Sequence, residues 1–126
     1  MIVAEVTYAA TYPPRGYAPD LATLGPDVRG PAAQSADHAG LINETLGNAS
    51  CTASAWCTKS GFRFRLAASG KRRECTEYVA MGTPVDASTG GRSFCSTSDG
   101  VIRSKTGAPL ASPVSASECK AWSPLQ

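Results

Sequence analysis

Five cysteines, one histidine and a run of three basic residues are the groups of this 126-residue chain best suited to chemistry. The cysteines are Cys51, Cys57, Cys75, Cys95 and Cys119. None forms a C-x-x-C pair, and the lone His38 completes no zinc-ligand pattern. Their spacing therefore favours disulfides in an oxidising compartment over a metal site. Two bridges among five cysteines allow fifteen arrangements, and the odd count leaves at least one thiol unpaired or shared with another chain. Cys51 and Cys57 bracket the short loop CTASAWC, where local pairing would close a small ring. A Cys75–Cys95 bridge across neighbouring strands is an alternative.

Cys75 reads as a free thiol, inert or shared between subunits. A catalytic thiol needs a base and an electropositive niche. Lys71, Arg72 and Arg73 lie near Cys75 in sequence, but no base does. His38 stands beside Asp37 at an expected helix start, where it reads as a solvated surface residue. No Gly-x-Ser-x-Gly elbow, phosphate loop or paired-carboxylate arrangement is present. The expectation is a non-enzyme with no catalytic, cofactor-binding or metal residues. Lys71-Arg72-Arg73, at an expected hairpin tip beside Lys59, Arg63 and Arg65, is a candidate polyanion contact, and its binding would weaken steeply with salt. Asp99 in Ser98-Asp99-Gly100 reads as ordinary turn chemistry, with too few carboxylates nearby for calcium. Asn43-Glu44-Thr45 and Asn48-Ala49-Ser50 fit the N-glycosylation pattern, a short motif taken here as coincidental.

The length suits one domain, 1–126, with a modest core. Nine aromatic residues against twenty-one Gly and Pro exclude dense helical packing. Residues 1–50 carry a net −3 and residues 51–126 a net +5, so the basic half falls on the expected sheet. The overall +2 is too small to imply a nucleic-acid or membrane partner.

The elements that must position these groups follow from pattern. Ile2–Ala10 reads as a helix end whose Ile2, Val3 and Val6 share a face, stopped by Tyr12-Pro13-Pro14. Pro19–Leu24 can make one helical turn, closed by Gly25-Pro26, and 27–36 is a polar loop. Asp37 caps an expected second helix to about Leu46, with Leu41, Ile42 and Leu46 as its stripe. Four strands follow: Lys59–Ala67, Cys75–Thr83, Arg92–Ser96 and Val101–Ser104. In the first, Phe62, Phe64 and Leu66 face the core and Arg63 and Arg65 face solvent. In the second, Tyr78 and Ala80 oppose Val79 and Met81. From Lys105 the chain is expected to be irregular, with Trp122 as an anchor.

Tyr8–Gly25, Leu41–Leu46, the stretch Thr58–Phe64 (TKSGFRF), Gly91–Arg103 (GRSFCSTSDGVIR) and the ending Trp122–Gln126 (WSPLQ) resemble, in order, the globular head of a type IV pilin or pilin-like (pseudopilin) protein. The resemblance implies an α+β pilin-like head: a helix stub and a short helix packed on a four-stranded antiparallel meander, with a disulfide-stapled C-terminal tail. In those terms 1–11 is the end of the long pilin helix, 12–57 a connecting loop with short helices, 58–104 the meander and 105–126 the tail. Cys95 and Cys119 resemble the family's C-terminal staple, which pairs Cys51 with Cys57 and leaves Cys75 over.

The implied function is that of a structural subunit of a type IV pilus or related extracellular filament. The alternative is a minor pilin or type II secretion pseudopilin that binds DNA, surfaces or exported protein. The implied location is extracellular or periplasmic, on a cell-surface filament. The family's leader, apolar helix and acidic residue near the mature N-terminus are missing here. Met1-Ile2-Val3-Ala4 is too short for a signal peptide, and no apolar run approaches the ~18 residues of a membrane helix. The chain as written is expected to be soluble and unable to polymerise. Its native form would be anchored in the inner membrane before assembly and would meet other pilin subunits through the missing helix.

Overall fold

Helix α1 (Ile2–Thr11) ends where Tyr12-Pro13-Pro14 blocks helical continuation, in a 3-10 turn over Pro13–Arg15. The computed structural model describes residues 2–26, 34–71, 74–86, 88, 91–107, 109–110 and 112–125, with Lys71 described for its backbone only. The buried face of α1 is Ala4, Glu5 and Tyr8 rather than the expected Ile2, Val3 and Val6. Val3 is 79% exposed and Val6 57%. The large Tyr8 sets the rotation: Ala4 lies one turn before it on the same face, and the valines turn outward.

Helix α2 (Leu21–Leu24) is a single turn capped by Asp20, whose side chain accepts from the Thr23 N–H at 2.8 Å. Leu21 and Leu24 are buried. The helix expected over Asp37–Leu46 does not form. The N–H groups of Ala39, Gly40 and Leu41 donate instead to the carbonyls of Thr23, Gly25 and Leu24, so this loop runs against the end of α2. The crossing needs two glycines: a Cβ on Gly25 would fall 1.8 Å from the Gly47 carbonyl oxygen. Asp37 caps nothing here. It pairs with Arg15 at 2.6 Å, and that partner lowers its pKa.

The sheet comprises β1 (Cys57–Lys59), β2 (Phe62–Lys71), β3 (Glu74–Pro84), β4 (Arg92–Thr97), β5 (Ile102–Thr106) and β6 (Ser123–Pro124). They lie side by side in chain order, each antiparallel to the next, with β1 and β6 as open edges. The expected four-stranded meander is thus corrected to a six-stranded open antiparallel sheet in an α+β fold with two disulfides. The extra strands are three and two residues long, too short to show alternation. β1 arises because Ser60 (φ 54°) and Gly61 (φ 82°) both take positive φ, folding Lys59 back onto Phe62 in a two-residue hairpin. β6 pairs with Arg103 and Ser104.

The irregular tail expected from Lys105 also gains a helix, α3 (Ala116–Lys120). It opens on a capping box: the Ser115 hydroxyl accepts from the Glu118 N–H and the Glu118 carboxylate accepts from the Ser115 N–H. The tail covers the back of the sheet, so Arg63 and Arg65 do not face open solvent as expected; both are half-buried.

Two cores result. In front, α1, α2 and the 39–51 loop pack Tyr8, Ala18, Leu21, Leu24 and Cys51 on Leu66, Tyr78 and Ala80. Behind, the tail packs Val114 and Cys119 on Val79, Met81 and Cys95. Alternation along β3 divides Tyr78 and Ala80 from Val79 and Met81. Among the described residues no helix is long and apolar enough to cross a membrane.

Candidate functional site

Helix α1 covers only part of the front face. Beyond its first turn the sheet presents Phe62 and Phe64 from β2, Gly82 from β3, Phe94 from β4 and Ile102 from β5. With Ile2 and Val3 they line an apolar groove of about 320 Å³. The ring centroids of Phe62 lie 6.3 Å from Phe64 and 6.4 Å from Phe94, a continuous aromatic surface. The groove exists partly because Gly82 has no side chain: a Cβ there would meet the Phe64 ring at 3.0 Å. Ile102 is 43% exposed, and Val3 and Val6 form an apolar ridge beside the groove. A contiguous apolar patch of this kind marks an interaction surface.

One turn along α1 lies the group that sequence reasoning missed. Glu5 is wholly buried. Its Oε1 accepts from the Ala18 N–H at 2.6 Å, and its Oε2 is buried without a partner. Burial pushes the carboxyl from its ordinary 4.5 up to about 8, against the Ala18 hydrogen bond, which pulls it down. Glu5 is therefore predominantly neutral at pH 7. The segment it holds is tied in turn to the sheet, since Gly16 bridges to Cys75 and the Tyr17 N–H donates to the Cys75 carbonyl at 2.8 Å. The buried acid thus docks the helix that borders the groove. The only signal for it in the sequence was its position one turn before Tyr8's neighbour Ala9, on the Ala4–Tyr8 side of the helix.

The other residues singled out above are dispersed. Cys51 and Cys57 are bonded, with Cα atoms 5.8 Å apart, and Cys95 and Cys119 are bonded, at 6.0 Å. Cys75 is a half-buried free thiol whose pKa is raised by burial and then by Glu5, a shift that favours the thiol over the nucleophilic thiolate. Arg72, Arg73 and the Lys71 side chain lie outside the described residues. His38 is half-buried in the 34–50 loop, where its N–H donates to the Ser35 carbonyl. Asp99 accepts from the Val101 N–H and pairs with Arg103 at 3.0 Å. The Arg103 hydrogen bond, then that N–H, holds its carboxyl down at about 2. Asn43 and Asn48 each accept from the backbone N–H two residues on, in tight turns. Among the described residues no three His, Cys, Asp or Glu side chains gather as metal ligands.

No protein-family model, curated protein or solved structure matches the chain. The resemblance to pilins is carried by the sequence stretches named above and by nothing else.

Proposed function

We propose that the chain is the exposed head of a filament subunit of the type IV pilin or pseudopilin class, working by assembly rather than by catalysis. One observation carries the proposal: the aromatic groove opens beside the first turn of α1, next to the outward ridge of Val3 and Val6. Groove and ridge are complementary in chemistry and adjoin at Val3, so the ridge of one copy can seat against the groove of the next. The two disulfides support an extracellular or periplasmic location.

The test is fractionation in the bacterium that encodes the chain. The protein should appear in filaments sheared from the cell surface, and Phe62→Asp should shift it to the cell-associated fraction without loss of folded protein. Its presence only as a free periplasmic monomer, unaffected by Phe62→Asp, would refute the proposal.

A further inference from the structure

The aromatic groove does not end on apolar ground. Arg92 and Phe94 stand two residues apart on β4, so both side chains rise from the same face of the sheet. Phe62 and Phe94, which line the groove, also line an adjoining hollow of about 540 Å³ together with Arg92 and Thr106. Gly91 borders this hollow, and a Cβ there would meet nothing within 4 Å, so the space beside Arg92 is open. Arg92 and Thr106 in turn border a third hollow of about 670 Å³, which Lys105 also lines. Shared residues thus join the three into one surface, aromatic at one end and cationic at the other.

Among the described residues no Asp or Glu lines any of the three hollows. Arg92 is exposed and, among those residues, belongs to no ion pair. Lys105 is exposed as well, and its only tie is to the Trp122 ring at 5.9 Å. Ligand pockets commonly combine an apolar wall with a few polar groups that fix orientation. Here the rings offer apolar area, and Arg92 offers a planar donor fork that matches a carboxylate. The α1 ridge of another copy could cover the rings but not answer Arg92, because the only acid in α1, Glu5, is buried.

We propose that the groove and Arg92 form a binding site for a small amphiphilic acid, an alkyl or aryl body that carries one carboxylate. The body lies on Phe62, Phe64 and Phe94, and the carboxylate pairs with the Arg92 guanidinium. Binding is a property of the single chain and goes beyond the assembly reading. Ligand and ridge claim the same rings, so each excludes the other.

The test is isothermal titration calorimetry on the purified, disulfide-bonded chain at neutral pH. Sodium decanoate, kept below micelle formation, is compared with decanol and with decyltrimethylammonium. Decanoate should bind saturably and raise the melting temperature. Decanol has the same body without the charge and should bind about tenfold more weakly, and the cation more weakly still. Arg92→Gln, at an exposed position, should lower decanoate to the level of decanol and leave decanol unchanged. Phe94→Ala should weaken decanoate and decanol alike. Absence of saturable decanoate binding, equal affinity for decanoate and decanol, or a decanoate affinity that Arg92→Gln leaves unchanged would overturn the proposal. Binding to phosphatidylglycerol vesicles without binding to dissolved decanoate would also overturn it, in favour of a membrane surface. Assembly is read separately: Arg92→Gln leaves the ridge contact intact, so filaments should persist in that variant whatever becomes of the ligand.

Discussion

In front of the sheet, α1 and α2 cover Leu66, Tyr78 and Ala80 with Tyr8, Leu21 and Leu24, and the packing encloses one carboxyl, that of Glu5. Behind it, a tail with a single five-residue helix packs Val114 and Cys119, flanked by the half-buried Leu110 and Trp122, on Val79, Met81 and Cys95. There a bond across 24 residues, Cys95–Cys119, fastens the tail to β4. The tail's other ties include the Leu110 N–H to Thr83 Oγ1 at 2.9 Å, the Arg63 guanidinium to the Leu110 carbonyl, the Val114 N–H to the Met81 sulfur, the Lys120–Glu77 ion pair and the short β5–β6 pairing. A layer with a helix to bury can hold by packing. A layer whose one helix is a little over a turn long gains more from a covalent fastening, as small domains with thin cores commonly do. The front therefore carries the proton-sensitive group, and the back leans on Cys95–Cys119, the longer of the two disulfide loops; Cys51–Cys57 lies in the front core.

The largest expected effect separates the two directly. Glu5 binds its proton more tightly folded than unfolded, so the folded state holds more protons between its ordinary 4.5 and about 8. The stability this proton linkage confers is fully present below the lower value and is lost as pH rises through the upper one. Urea unfolding across that window should show stability falling by up to about 1.4 kcal/mol per pH unit, with a ceiling of about 5 kcal/mol in total. Glu5→Gln should flatten the slope, and a slope unchanged by it would remove the front's proton dependence. Next in size, replacing Cys95 and Cys119 together by Ser should cost about 3 kcal/mol. The pH slope should survive that replacement. If it vanished with the disulfide, the two layers would not be separable.

Smaller changes sharpen the contrast. Ser115→Ala removes the cap of α3 and should cost about 1 kcal/mol, with extra hydrogen exchange confined to the tail. Asp99→Asn touches neither layer. It breaks the pair with Arg103 at the β4–β5 turn and should cost about 0.5 kcal/mol. Its pH signature has the opposite sign to that of Glu5: the Asp99 contribution is present above its ordinary 3.8 and is lost as pH falls toward about 2.

The same contrast explains what could be read from the sequence. Phe62, Phe64 and Leu66 alternate with two arginines over enough residues to declare a strand and its front face, and Asp20 and Gly25 bracket α2 locally. β1 and β6 carry no period at three and two residues; they exist because a positive-φ Ser-Gly turn and the Cys119 region bring their chains alongside. Asp37–Leu46 has helical periodicity, but its N–H groups go to the carbonyls of Thr23, Leu24 and Gly25, a tertiary competition that no local signal announces. α3 was legible, since Ser115-Ala116-Ser117-Glu118 is a capping-box pattern, and composition alone made the tail look irregular. The groove was half legible. Its phenylalanines read as core because period-2 alternation names a face without saying whether anything covers it. Glu5 was hidden because a charged residue among valines reads as the solvent side of a helix.

Assembly of this chain, as proposed, requires that copies meet through the groove and the α1 ridge. Its most direct test is disulfide trapping in surface filaments of a strain carrying Val6→Cys, on the ridge, and Phe62→Cys, in the groove. A ladder of covalent multimers is expected on oxidation, absent from either single variant and from a control pairing Val6→Cys with Ser88→Cys, an exposed site outside the groove. Monomers alone, or a ladder equally strong in the control, would contradict it.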